Sequence, residues 1–197
     1  MERLLAGALF VVMTLAALTD ALAAPTQKDA YPWKTNIAAT VFWMEKSGFD
    51  YGMPVIRIGS PPPGTNPYYV ALPFNDLKYP DLARRWLPAG WQRSFVNQRI
   101  TSRCKGRWIE IKTEGGRICY AQWEDVGPLV EDDAPYVFGA ERPQAQNGLD
   151  VSPAVAKRLG IEGSAILSWR FVDDEDVQRG PWLDRDGGQT LLASPGL

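Results

Sequence analysis

The stretch from Trp108 to Trp123 reads WIEIKTEGGRICYAQW. Trp108-Ile109-Glu110-Ile111-Lys112 alternates apolar and charged residues, the period of a half-buried strand. Glu114-Gly115-Gly116 supplies a turn, and Arg117 to Trp123 is the returning strand of a hairpin. Glu124 to Pro128 ends that strand with Gly127-Pro128. A hairpin of this kind is one piece of a β-rich fold.

Downstream, Gly148-Leu149-Asp150-Val151 enters Ser152-Pro153. Ser152 suits an N-cap and Pro153 a first helical residue. The helix predicted over Pro153 to Leu159 is closed by Gly160. Ala165 to Val172 (AILSWRFV) is a largely buried strand. Between hairpin and helix, Glu131-Asp132-Asp133 reads as a solvated acidic loop and Tyr136 to Gly139 as a brief apolar patch. Upstream, Asn36 to Trp43 (NIAATVFW) is β-branched and aromatic, a strand. Glu45 to Pro67 is mostly loop, with Val55 to Ile58 as a short strand inside it. Tyr68 to Leu72 is another strand, stopped by Pro73. Asp81 to Trp86 forms a helical turn after Pro80. Many short strands with one small helix predict a mainly β fold, a compact barrel with a helix in one crossover.

The first residues have a different character. Met1-Glu2-Arg3 precedes an apolar run from Leu4 to Leu18, then the small-x-small pattern Ala21-Leu22-Ala23 and the polar Pro25 to Lys28. This is the layout of a secretory signal peptide over residues 1–23. The run of about 15 residues falls short of the roughly 20 that span a bilayer. Residues 24–35 read as a polar lead-in, 36–182 as the barrel domain, and 183–197 as a frayed tail. The expected destination is secreted or periplasmic, with no membrane span after signal removal. Outside the cytoplasm, Cys104 and Cys119 are expected to form a disulfide. Pairing across Gly115-Gly116 does not set them opposite one another, so Cys104 would have to fold back onto the strand.

Composition narrows the chemistry. The chain has 197 residues, a formal charge of −2 and no His. A near-neutral, slightly acidic chain does not suit nucleic acid as its main partner. Without His there is no Ser-His-Asp triad, no Cys-His pair and no His-ligated zinc. No cofactor and no metal site are expected, and the chain is expected to be a monomer. Any catalysis runs on carboxylates, Lys, Tyr, Ser or Cys.

Six ordered pieces resemble the double-psi β-barrel superfamily, which holds the rare-lipoprotein-A-like domains, expansins and barwin-like endoglucanases. Thr40-Val41-Phe42-Trp43 is similar to the opening strand. Ala71-Leu72-Pro73-Phe74 resembles the Leu-Pro-Phe stretch. Trp108 to Lys112 and Ile118 to Trp123 match the central hairpin, and Asp125-Val126-Gly127-Pro128 the Asp-x-Gly-Pro. Leu149 to Ser152 with Leu159-Gly160 resembles the Asp-Leu-Ser helix, and Trp169 to Val172 the closing strand. The resemblance implies a six-stranded double-psi β-barrel with one short crossover helix and long loop insertions. It also implies action on a polysaccharide or peptidoglycan, with Asp125 as general acid or base on a glycosidic bond. Cleavage by a glycoside-cleaving hydrolase or lytic transglycosylase calls for carboxylates beside the scissile oxygen. Asp76 and Glu45 are the candidates for a second one.

Asp150 is expected to organise the helix entry or to bind ligand. Trp43, Trp123 and Tyr69 are candidates to line a sugar-binding groove, with core packing as the alternative. The lytic members carry a His shortly before Leu-Pro, and this chain has none. A non-catalytic glycan- or protein-binding module on the same barrel therefore stands beside the enzyme reading, and an inhibitor or effector acting through its loops stands third.

Overall fold

The computed structural model describes residues 31–43, 66–91, 95–96, 99–185 and 189–190. The expected signal peptide, Glu45 and the expected strand at 55–58 lie outside the described residues, as does most of the tail.

In chain order the strands and helices are β1 (Lys34–Val41), β2 (Tyr69–Leu72), α1 (Pro80–Trp86), β3 (Phe95–Val96), β4 (Arg99–Ile100), β5 (Trp108–Thr113), β6 (Ile118–Val126), α2 (Ala134–Phe138), β7 (Leu149–Val151), α3 (Pro153–Leu159), β8 (Ser164–Val172), β9 (Asp184–Arg185) and β10 (Gln189–Thr190). Six of the strands close a barrel in the order β1-β7-β2-β6-β5-β8. The expected hairpin is there: Trp108 pairs with Gln122 and Lys112 with Ile118, antiparallel. Two of the barrel's pairs, β1 with β7 and β2 with β6, are parallel. A parallel pair cannot be closed by a tight turn, so the chain crosses over the barrel ends between them. The mainly β barrel read from the sequence is the fold observed.

Alternation decides the interior. Ile109 and Ile111, Leu149 and Val151, Leu167 and Trp169 are all essentially inaccessible. The core is aromatic toward one end, where Trp169 meets Phe171 edge-on at 5.1 Å and Phe138 stacks on Phe171 at 5.9 Å. Such pairs add about 0.5–1.5 kcal/mol each beyond the area they bury.

Helix α3 forms as its capping residues direct. The Ser152 hydroxyl accepts from Val155 N and donates to Pro67 O at 2.7 Å, and Gly160 sits in the left-handed region at φ 69°. Helix α2 was expected only as an apolar patch. Asp133, expected in a solvated loop, is buried: its carboxylate accepts from Tyr136 N and from the backbone and side chain of Gln144. The tertiary pairing with Gln144, eleven residues on, turns that acidic position inward.

The C-terminal segment is docked as far as Trp182. That ring packs on Tyr120 at 5.3 Å, and its carbonyl accepts from Asn66. Beneath the outer layer, the row Tyr120–Glu110–Arg170 crosses three strands in register. Glu110 and Arg170 are buried and joined at 2.7 Å. Among the described residues no helix is long and apolar enough to cross a membrane.

The disulfide expected from the sequence is not formed: Cys104 and Cys119 are two free, buried thiols. The reason is register. The Cys104 turn is tied to the far end of β6, where Gly106 N donates to Trp123 O and Arg107 O accepts from Trp123 N. Cys119 stands four residues back along that strand, opposite Ile111. At about 3.3 Å per residue this puts roughly 13 Å of strand between Cys119 and the point where the Cys104 turn is tied, whereas a disulfide needs its Cα atoms within ~7 Å.

Candidate functional site

The residues named from the sequence do not all come together. Asp76 is fully buried. Its carboxylate accepts from the Ser102 hydroxyl at 2.6 Å and from Arg103 N at 2.8 Å. The Ser102 oxygen in turn accepts from Cys104 N and Lys105 N. Asp76 thus clamps the loop before β5 and has no face toward a ligand. Trp123 is wholly inside the barrel and Tyr69 is 2% exposed, so neither offers a ring to stack on. Tyr69 instead meets Phe42 edge-on at 5.5 Å. Trp43 is 52% exposed at the end of β1 and is available to a ligand.

Asp125 and Asp150 are brought together, by a route that is not visible locally. Trp123 and Asp125 are two apart on β6, so an unbroken strand would point both into the core. The pairing with β2 slips at that place: Val70 opposes Trp123, while the next residue, Ala71, opposes Asp125. Glu124 is the extra residue of a β-bulge, and bulges re-aim the side chains that follow them. Asp125 therefore leaves the Trp123 face and joins the opposite one.

On that opposite face a continuous row crosses four strands. Thr40 of β1 pairs with Asp150 of β7, Asp150 with Ala71 of β2, and Ala71 with Asp125 of β6. The two carboxylates flank Ala71, one strand to either side. With strands about 4.8 Å apart, their Cα atoms are roughly 10 Å from one another. Ala71, itself 2% exposed, stands between them in the row.

The local chemistry of the two acids differs. Thr40 donates its hydroxyl to Asp150 Oδ1. Burial raises the Asp150 carboxyl above its usual range, and the Thr40 bond opposes that rise. Asp125 is 7% exposed, and its Oδ1 accepts from Val126 N at 2.8 Å. Gly127, just past the end of β6 at φ 146° and before a cis Pro128, donates its N–H to Leu72 O. A Cβ on Gly127 would lie 3.9 Å from Asp150 Oδ2. A glycine there holds a backbone that side chains disfavour.

Thr40 was quoted only as part of a strand. Its signal in the sequence was parity with Asp150, which shows once β1 and β7 are known to pair. The thiols offer no chemistry: burial pushes Cys119 up to about 12 and Cys104 well above its normal value. Among the described residues no three metal-ligating side chains gather at one place.

No protein-family model matches the chain, and no curated protein is similar to it. Among solved structures it is similar to a Streptomyces papain inhibitor, at 17% identity, over 72% of this chain and 96% of that one, with a TM-score of 0.37.

Proposed function

We propose that this chain is a secreted or periplasmic member of the double-psi β-barrel superfamily that acts on a cell-wall or extracellular polysaccharide, with Asp125 and Asp150 as its carboxylate pair. The observation that carries the reading is the row Thr40–Asp150–Ala71–Asp125. It sets two acids on one face of the barrel, one strand to either side of Ala71.

Glycosidic cleavage calls for one carboxyl that keeps its proton beside the leaving oxygen and a second that is ionised. Desolvation favours the protonated form of Asp150, which suits it as the general acid. Asp125, whose Oδ1 accepts from Val126 N, is the second carboxylate of the pair. Carboxyl separations of about 6.5–9.5 Å belong to inverting cleavage, and Cα atoms roughly two strand spacings apart are compatible with that window. The ordered motif pieces and the two parallel pairs support membership of the superfamily.

A second reading rests on the burial of Asp125. At 7% exposure it is held more as a structural acceptor than as an open base. On that reading the barrel is a non-catalytic module that binds glycan, with the exposed Trp43 as an available ring.

One experiment separates the two. The purified mature chain is incubated with peptidoglycan and with β-glucans, and soluble sugars are measured alongside retention on the insoluble polymer. Catalysis predicts release that falls about 10²–10⁴-fold in Asp125→Asn and in Asp150→Asn. Retention without release gives the binding module. Neither release nor retention overturns the polysaccharide reading.

A further inference from the structure

A second bulge, at the start of β1, aims a lysine inward. Lys34 opposes Trp169 on β8, but Ile37 opposes Leu167. Three steps on β1 match two on β8, so β1 carries one extra residue. Asn36 takes up the slack in the left-handed region at φ 55°, which an L-residue adopts at a cost. Without the extra residue, Lys34 and Ile37 would lie on opposite faces of the strand. With it, Lys34 faces the barrel end along with the buried Trp169.

The consequence is a buried charge. Lys34 is 9% exposed. Its ammonium donates to Gly139 O, and among the described residues no carboxylate pairs with it. The buried Arg170 is handled differently, joined to Glu110 at 2.7 Å. Lysines are rarely held inside without a partner anion, because desolvating the ammonium is expensive.

Space adjoins that charge. A cavity of about 190 Å³ is lined by Lys34, Trp33, Thr35, Ile37, Glu141 and Arg142, among others. The Arg142 guanidinium is committed to Thr35 O at 2.7 Å and Asn36 O at 2.6 Å. It ties the bulge in place. The two cations and Glu141 sum to one net positive charge. A compact monoanion balances that charge, and Trp33 and Ile37 supply apolar wall for a short hydrocarbon body.

We propose that this cavity is a binding site for a small monocarboxylate, with the Lys34 ammonium as its counter-ion. The site is separate from the Asp125–Asp150 row, so its fate does not depend on the glycan reading.

The test uses the purified mature chain, with propanoate as probe and inorganic phosphate as its comparison, read by two-dimensional amide NMR. Propanoate is expected to shift the amides of residues 33–37 and 139–142 saturably, with millimolar affinity. Lys34→Met, whose spectral dispersion reports its fold, weakens that binding about tenfold or more. Glu141→Gln, which removes an acidic group from the lining, tightens it; this variant keeps the test sharp if Lys34→Met fails to fold. Shifts that never saturate, or that persist in Lys34→Met, overturn the site. Phosphate binding as tightly as propanoate overturns the monocarboxylate assignment.

Discussion

Thr40 donates its hydroxyl to Asp150 across the parallel β1–β7 pair, and this bond works against the burial that raises the Asp150 carboxyl. A raised value means that the folded state holds the proton more tightly than the unfolded chain does. The stability so gained is fully present below the unfolded value, near 3.8, and is lost as pH rises through the folded one. Asp150→Asn keeps an acceptor for Thr40 and removes the ionised form. The variant is expected to melt above wild type at neutral pH, and the gap is expected to close in acid. Melting temperatures across the acid range check this; a wild type that melts higher at pH 7 refutes it.

Ala71 is the spacer of the carboxylate row and is 2% exposed. Ala71→Leu should overpack its surroundings between the two acids, at about 1–3 kcal/mol. The folded fraction is expected to lose polysaccharide release and retention together, while Ala71→Ser keeps most of both. An active Ala71→Leu would show that ligand does not pass between the two acids.

Glu110 and Arg170 form a buried pair whose members were not made to stand alone. Glu110→Ala leaves Arg170 uncompensated and should cost about 3–5 kcal/mol in denaturant unfolding. Replacing both residues by Met should recover most of that loss. A single variant as costly as the double one would contradict the pairing argument.

Cys104 and Cys119 are expected to resist alkylation in the folded chain at neutral pH, since burial keeps both thiols protonated. Once unfolded without reductant, both should label. Mass spectrometry that finds neither labelled under those conditions would mean a disulfide after all.

Ser152 makes three polar contacts from one hydroxyl: it accepts from Val155 N and Tyr69 N and donates to Pro67 O. Ser152→Ala therefore loses a helix cap and the tie to Pro67 O, for about 1 kcal/mol. Chemical denaturation reads the change, and a loss under a few tenths would show that the cap is dispensable.

Local signals carried the elements well. The hairpin from Trp108 to Trp123 was legible because its alternation and its Gly-Gly turn are properties of adjacent residues. Helix α3 was legible because Ser152, Pro153 and Gly160 act on their own neighbours. The strand expected from Asn36 begins two residues earlier, at Lys34, because the bulge disguises its first turn of pattern. Helix α2 was read as a patch because Asp133 caps it while bound to Gln144, a contact no window of sequence contains.

The candidate site divides in the same way. Asp125 and Asp150 were each singled out from their motifs, but Asp76 and Trp123 were singled out beside them with equal reason. Burial separates them, placing Asp76 under Ser102 and Trp123 in the core.

Residue order alone was enough to establish a mainly β barrel, its central hairpin and its capped helix, because periodicity and capping act within a few residues. Facing was decided only by the tertiary structure. One extra residue at Glu124 turns Asp125 toward Asp150, and one in β1 turns Lys34 inward. A bulge is a mismatch between two strands distant in sequence. A strand has no bulge until its partner is in place, and side-chain direction reverses with a single step of register.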